Sequence, residues 1–176
     1  LLRRFFKRAL GTTVEELGQT VNDPRFQEAI IPAGNLAGSA TECTDFFQMM
    51  LDGGKWGRRR ICQQSTVARA VQEFGNRTVD QTLGLPMRYS AGLMLGDEPF
   101  GVWGPKSHHA FGHLGLINKF SWADPERELS ATVLTSGIPL LTHHVVPLFN
   151  LIRTIGNNVP RVDNLKPFSL TSAAPT

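Results

Sequence analysis

Between Ser39 and Gly54, apolar residues recur at steps of three and four: Cys43, Phe46, Phe47, Met50 and Leu51. That spacing draws one apolar stripe along a helix. Ser39-Ala40-Thr41-Glu42 has the form in which a hydroxyl and a carboxylate each satisfy a free backbone N–H, and Gly53-Gly54 supplies a left-handed stop, so a helix is predicted over 41–52. A second stripe, Val67, Ala70, Val71 and Phe74, predicts a helix over 64–74 ending at Gly75-Asn76. The period then changes. Tyr89, Ala91, Leu93 and Leu95 alternate with Ser90, Gly92 and Met94 at the strand period of two. Residues 117–123 and 129–135 flank Asp124-Pro125-Glu126-Arg127, where Pro pre-sets the turn and Asp bonds forward to the backbone, which predicts an antiparallel hairpin. From Pro139 helical spacing returns through Leu140, Leu141, Val145, Leu148, Phe149, Ile152 and Ile155, with Pro147 expected to kink or divide the helix. Residues 1–38 read as an irregular lead-in with one short helix, around Val14–Leu17 or Arg25–Ile30. Residues 96–107 read as a Gly/Pro-rich loop and 159–176 as a loose tail.

Composition changes this picture little. The chain has 176 residues, 41% of them hydrophobic and 19% charged, with 17 Gly and 11 Pro. That profile excludes disorder as the main state and fits one domain, or a fragment of one, over 1–176. A net charge of +3 gives no support to a nucleic-acid partner, because the basic spots at Arg3-Arg4 and Arg58-Arg59-Arg60 are short. No apolar stretch approaches the roughly 20 residues that cross a bilayer, so no transmembrane segment is expected. Two cysteines, Cys43 and Cys62, make neither a disulfide framework nor a metal signature, and they leave the compartment open.

Candidate chemistry concentrates around the histidines. His108, His109 and His113 invite a metal reading, but glycines and Pro105 surround them and no carboxylate lies nearby in sequence, so neither a metal nor any other cofactor is expected. His108, His109 and the pair His143-His144 read as surface or capping residues, and Tyr89 as a half-buried packing residue. Among the nine serines none sits in Gly-x-Ser-x-Gly and none has Lys three positions later, so local sequence contains no complete nucleophile.

Ala110-Phe111-Gly112-His113-Leu114-Gly115, followed by Ser121-Trp122-Ala123-Asp124-Pro125-Glu126, resembles the third motif and the following hairpin of serine β-lactamase-like hydrolases. The similarity is to the esterase and penicillin-binding-protein-related branch with class C architecture. Ile31-Pro32-Ala33-Gly34-Asn35, the helix from Ala40 to Gly54, Arg60-Ile61 with Thr66–Ala70, and Leu83-Gly84 with Gly92–Leu95 resemble other family segments in the same order. Collinear similarity covers about 30–136.

The resemblance implies an α+β fold, an antiparallel sheet flanked by helices, of β-lactamase/transpeptidase type and incomplete in this chain. It implies a small-molecule acyl substrate, an ester, amide or lactam, hydrolysed through an acyl-enzyme. His113 would be the catalytic residue, orienting the acyl group or moving a proton. Leu114, Gly115 and Leu116 would line the substrate, with the Leu116 N–H as an oxyanion donor. The family's Ser-x-x-Lys and Tyr-x-Asn motifs are absent from these residues, so a missing N-terminal half or a second subunit is expected as a partner. The alternative is a catalytically inactive relative acting in binding or assembly, motivated by Leu116-Ile117-Asn118-Lys119 where small residues are usual.

Overall fold

The computed structural model describes residues 7, 11–31, 34–81, 83–115, 119–135 and 145–163. Residues 1–39 and 40–176 form two compact units. In the first, α1 (Val14–Val21) opens with a capping box in which the Thr13 side chain accepts from the Glu16 N–H and the Glu16 carboxylate accepts from the Thr13 N–H. Asp23 caps α2 (Pro24–Glu28), whose leading proline needs no N–H there. Both candidate helices therefore form where one was expected, and the first is longer than its Val14–Leu17 nucleus. Asn35 closes the unit by accepting from the Ile31 N–H and donating to the carbonyls of Phe26 and Ala29.

The second unit begins with α3 (Ala40–Leu51), the helix read from its stripe, and ends it at Gly53 and Gly54 with φ of +64° and +88°. A side chain at Gly54 would overlap the Cys62 carbonyl, so the glycine serves both the turn and a close approach. A small hairpin, β1 (Lys55–Trp56) and β2 (Arg59–Arg60), leads to α4 (Gln64–Ala70). This helix stops four residues before its predicted end. Residues 71–74 leave it, the Phe74 N–H donates to the Tyr89 carbonyl at 2.8 Å, and the Phe74 ring is 78% exposed instead of facing the core.

The main sheet contains β3 (Thr78–Asp80), β4 (Leu85–Tyr89), β5 (Met94–Leu95), β8 (Phe111–Gly115), β9 (Lys119–Asp124) and β10 (Leu129–Leu134). Their spatial order is β10-β9-β8-β5-β4-β3, and every pairing is antiparallel. The alternation over 89–95 is not one strand but a hairpin: the Ser90 hydroxyl accepts from the Leu93 N–H and the Ser90 N–H donates to the Leu93 carbonyl, both at 2.9 Å. A serine that can bond two or three residues ahead offers the chain a turn in place of a ladder. The 96–107 loop contains its own hairpin, β6 (Phe100–Gly101) and β7 (Gly104–Pro105), and carries Trp103 into the core.

The two faces of the sheet have separate cores. Phe47 and Met50 of α3 and Val67 of α4 pack with Leu95, Phe111 and Ala123. On the opposite face α5 (Val145–Asn158) packs Leu148 and Ile152 with Met87, Met94, Trp103, Phe120 and Trp122. Trp103 stacks on Trp122 at 5.8 Å and donates its indole N–H to the Met94 carbonyl. Fully burying each such side chain contributes about 1.5–3 kcal/mol. Pro147 does not divide the described helix, which runs unbroken from Val145 to Asn158. The expected helical stretch at 139–144 lies outside the described residues, His143 and His144 with it.

The predicted β9–β10 hairpin forms, in a register that sets Asp124 opposite Leu129, and the Asp124 carboxylate accepts from the Glu126 N–H at 3.0 Å. The start of the tail is not loose. The Val162 N–H donates to the Glu126 carbonyl, and Arg161 pairs with the Glu126 carboxylate at 2.8 Å, so 161–162 are fastened to the hairpin turn.

Candidate active site

Strand β8 carries the motif singled out in the sequence, and its alternation sorts the residues onto two faces. Phe111, His113 and Gly115 lie on the α3 face, while Gly112 and Leu114 lie on the α5 face. Phe111 is completely buried under α3, and Leu114 packs against the opposite core. His113 is exposed. The structure thus brings His113 and Gly115 to one surface and sends the Leu114 side chain to the other. Leu116, the expected oxyanion donor, lies outside the described residues.

The two motif glycines have different reasons. A Cβ on Gly112 would overlap the Ser121 carbonyl and come within 2.5 Å of Trp122 Cβ, so β9 itself demands glycine there. A Cβ on Gly115 would meet only ordinary contacts, 3.4 Å from Lys119 Cβ and from its carbonyl oxygen. The described neighbours place no comparable demand on Gly115.

His113 Nδ1 is 3.0 Å from the Leu114 carbonyl. A carbonyl only accepts, so Nδ1 carries a proton; among the described residues Nε2 has no partner. Directly opposite on β9 is Ser121, and opposite Ser121 on β10 is Thr132, whose hydroxyl donates to Ser121 Oγ at 3.1 Å. The next row along the same face is Gly115, Lys119 and Leu134. Sequence reasoning did not place Ser121, Thr132 and Lys119 beside His113. Only strand register brings them together, and the turn-to-turn spacing of the 119–134 hairpin is the signal that could have found them.

The segment leading into β8 is held by Arg88 of β4. Its guanidinium makes two contacts with the Glu73 carboxylate, at 3.0 and 2.8 Å, and reaches the carbonyls of Gly96 and His108. Hydrogen bonding from Arg88 holds the Glu73 carboxyl below its ordinary value. Arg88 Nη1 also lies 3.2 Å from His108 Nδ1. An arginine only donates, so Nδ1 is the acceptor side of this contact. His108 is therefore a half-buried clamp residue and not the loop surface that its sequence implied, whereas His109 is exposed against its edge. Among the described residues no three His, Cys, Asp or Glu side chains converge as a metal site. Tyr89 is half-buried as expected and donates to Asp80 at 2.6 Å; burial, then Asp80, pushes its hydroxyl up from the usual tyrosine value.

A helix-flanked antiparallel sheet carries the motif strand at its centre. A family model described as Beta-lactamase matches residues 6–144, and the chain belongs to that family. Two solved structures share the fold. A family VIII carboxylesterase aligns with a TM-score of 0.61 at 25% identity over 73% of this chain. A penicillin-binding protein homologue from Caulobacter crescentus aligns with a TM-score of 0.55 at 22% identity over 77%. The chain spans 35% and 41% of the lengths of those two structures. No curated protein matches significantly. The resemblance read from Phe111–Gly115 and the collinear segments is thereby borne out, as is the α+β fold of β-lactamase type.

Proposed function

We propose that this chain forms one wall of the acyl-transfer site of a β-lactamase-related serine hydrolase that cleaves an ester, amide or lactam through an acyl-enzyme. The observation that carries this reading is the exposed His113 ring, with Nδ1 tied to the Leu114 carbonyl and Nε2 without a partner among the described residues. A neutral imidazole held in one tautomer accepts or returns a proton at Nε2, and general acid–base assistance of this kind contributes about 10²–10⁴-fold. No Ser-x-x-Lys occurs in the 176 residues, so the nucleophile comes from a segment outside them or from a second subunit.

The test uses the gene product that contains this chain. His113→Ala should lower kcat/KM for an activated ester about 100-fold or more while leaving the unfolding midpoint nearly unchanged, and His109→Ala should do neither. Equal, small effects of both substitutions would remove His113 from the chemistry. The absent Ser-x-x-Lys favours a second reading, a relative that binds acyl compounds without turnover. It requires that the same gene product bind such compounds, hydrolyse none, and escape labelling by a serine-directed phosphonate.

A further inference from the structure

The basic run Arg58-Arg59-Arg60 forms the turn and second strand of the β1–β2 hairpin. Trp56 and Arg59 stand directly opposite each other, with Gly57 and Arg58 as the two-residue turn, and Gly57 has the positive φ, +58°, that such a turn favours. The register sorts the side chains onto two faces. Arg60, opposite Lys55, turns back: its guanidinium donates to the Gly53 carbonyl at 3.1 Å and to the Cys62 carbonyl at 3.2 Å, which fastens the hairpin to the end of α3. The Ile61 N–H donates to the Gly54 carbonyl at 2.8 Å and closes the base. Trp56 and Arg59 therefore project from the other face. Trp56 is 59% exposed, whereas Trp103 and Trp122 are each 1% exposed, and Ile61 just beyond β2 is 56% exposed.

From Gly53 to Cys62 the sequence has four cations, Lys55, Arg58, Arg59 and Arg60, and no acid. Lys55, Arg58 and Arg59 are exposed and make no ion pair among the described residues. An indole held in water among unpaired guanidinium groups suits a boundary where an apolar layer meets an anionic one, with the ring at headgroup level and the cations at the phosphates. A nucleic acid also offers phosphates, but one two-residue turn is short for a phosphate track, and it would leave Ile61 in water. An anionic bilayer satisfies the cations and takes up both apolar side chains.

We propose that the β1–β2 hairpin is a reversible contact for an anionic lipid bilayer, with Trp56 entering the headgroup layer and Lys55, Arg58 and Arg59 pairing with lipid phosphates. This inference stands apart from the acyl-site reading. It is tested by sedimenting the gene product that contains this chain with vesicles of phosphatidylcholine alone and with vesicles of two parts phosphatidylcholine to one part phosphatidylglycerol. The anionic vesicles should bind it about 100-fold more tightly, the scale of three cations near a charged surface, and added salt should shrink that ratio. Arg58→Gln with Arg59→Gln should weaken the binding about 25-fold, about fivefold for each cation, while Arg58→Lys with Arg59→Lys retains it. Trp56→Ala should weaken it about tenfold through the apolar area no longer withdrawn from water. None of these exposed side chains belongs to either core, so the unfolding midpoint should stay unchanged in every variant. Equal binding to the two vesicles, or binding that the arginine or the Trp56 substitutions leave unchanged, overturns the proposal. So does displacement from the vesicles by a single-stranded oligonucleotide at equal phosphate, which would make the hairpin a nucleic-acid contact instead.

Discussion

Arg127 tests how the sheet is joined to the layer that packs on it. Its side chain is only 5% exposed. Nη1 donates to Asp124 Oδ2 at 2.6 Å and to the Lys106 carbonyl, Nη2 to the Pro105 carbonyl, and Nε to the Gly156 carbonyl at 2.8 Å. One guanidinium thus ties the β9–β10 turn, the segment after β7 and the last turn of α5. Arg127→Ala removes all four bonds and leaves a buried carboxylate with the Glu126 N–H as its remaining partner. Breaking a buried pair from one side costs about 3–5 kcal/mol, and each carbonyl left without a donor costs about 1 kcal/mol or more unless water reaches it. Because water would enter the vacated volume and serve several groups at once, we expect a loss of about 4 kcal/mol, a large part of the roughly 5–15 kcal/mol that stabilises a domain. Arg127→Lys keeps the charge but reaches fewer acceptors, and it should lose about half as much.

Acid separates this account from simple loss of packing. Burial pushes the Asp124 carboxyl above its ordinary value, and Arg127 is the main group holding it back. Without Arg127 the folded state takes up that proton more readily than the unfolded chain, so protonation favours folding and the deficit of Arg127→Ala shrinks as pH falls into the carboxylate range. Urea unfolding followed by tryptophan fluorescence, at neutral and acid pH, measures both quantities. A loss below about 1 kcal/mol, or a deficit that ignores pH, refutes the reasoning.

Tyr89 is the sole tyrosine, so phenolate absorbance reads one site. Its raised value means that the neutral phenol contributes stability that is complete below the ordinary tyrosine range and is lost as pH climbs beyond it. Tyr89→Phe should remove that alkaline loss, and an ordinary titration in the native chain would contradict the structure. Gly112→Ala should cost about 2–3 kcal/mol in denaturant titrations because β9 occupies the space, whereas Gly115→Ala should change stability by less than about 0.5 kcal/mol while lowering turnover; equal stability losses would show that both glycines are packing residues. Among the described residues strand β10, Leu129–Leu134, is a sheet edge, and it has no charged side chain, so the isolated chain should self-associate in sedimentation, and Leu134→Lys should shift it toward monomer. A wild-type monomer at high concentration would refute that expectation.

Local chemistry made α3 and the β9–β10 turn legible, because each depends on residues close in sequence, a stripe ended by two glycines and a proline after an aspartate; the motif strand was legible only through its resemblance to the family. The lead-in helices were half legible, since Thr13 and Glu16 have the capping spacing that the same reasoning recognised at Ser39 and Glu42. Where a short segment had two local options, the tertiary structure decided. Phe74 could extend a helix or bond to Tyr89, and Ser90 could continue a strand or turn it; the neighbouring strand β4 selected the second in each case. The charged cluster of Asp124, Glu126, Arg127 and Arg161 was invisible because its acceptors, at Pro105, Lys106 and Gly156, are far away in sequence. The same holds for the candidate site. Sequence identified His113 and Gly115, but the companions Ser121, Thr132 and Lys119 become neighbours only through strand register, which the two cores fix by requiring Phe111 and Ala123 on one face and Phe120 and Trp122 on the other.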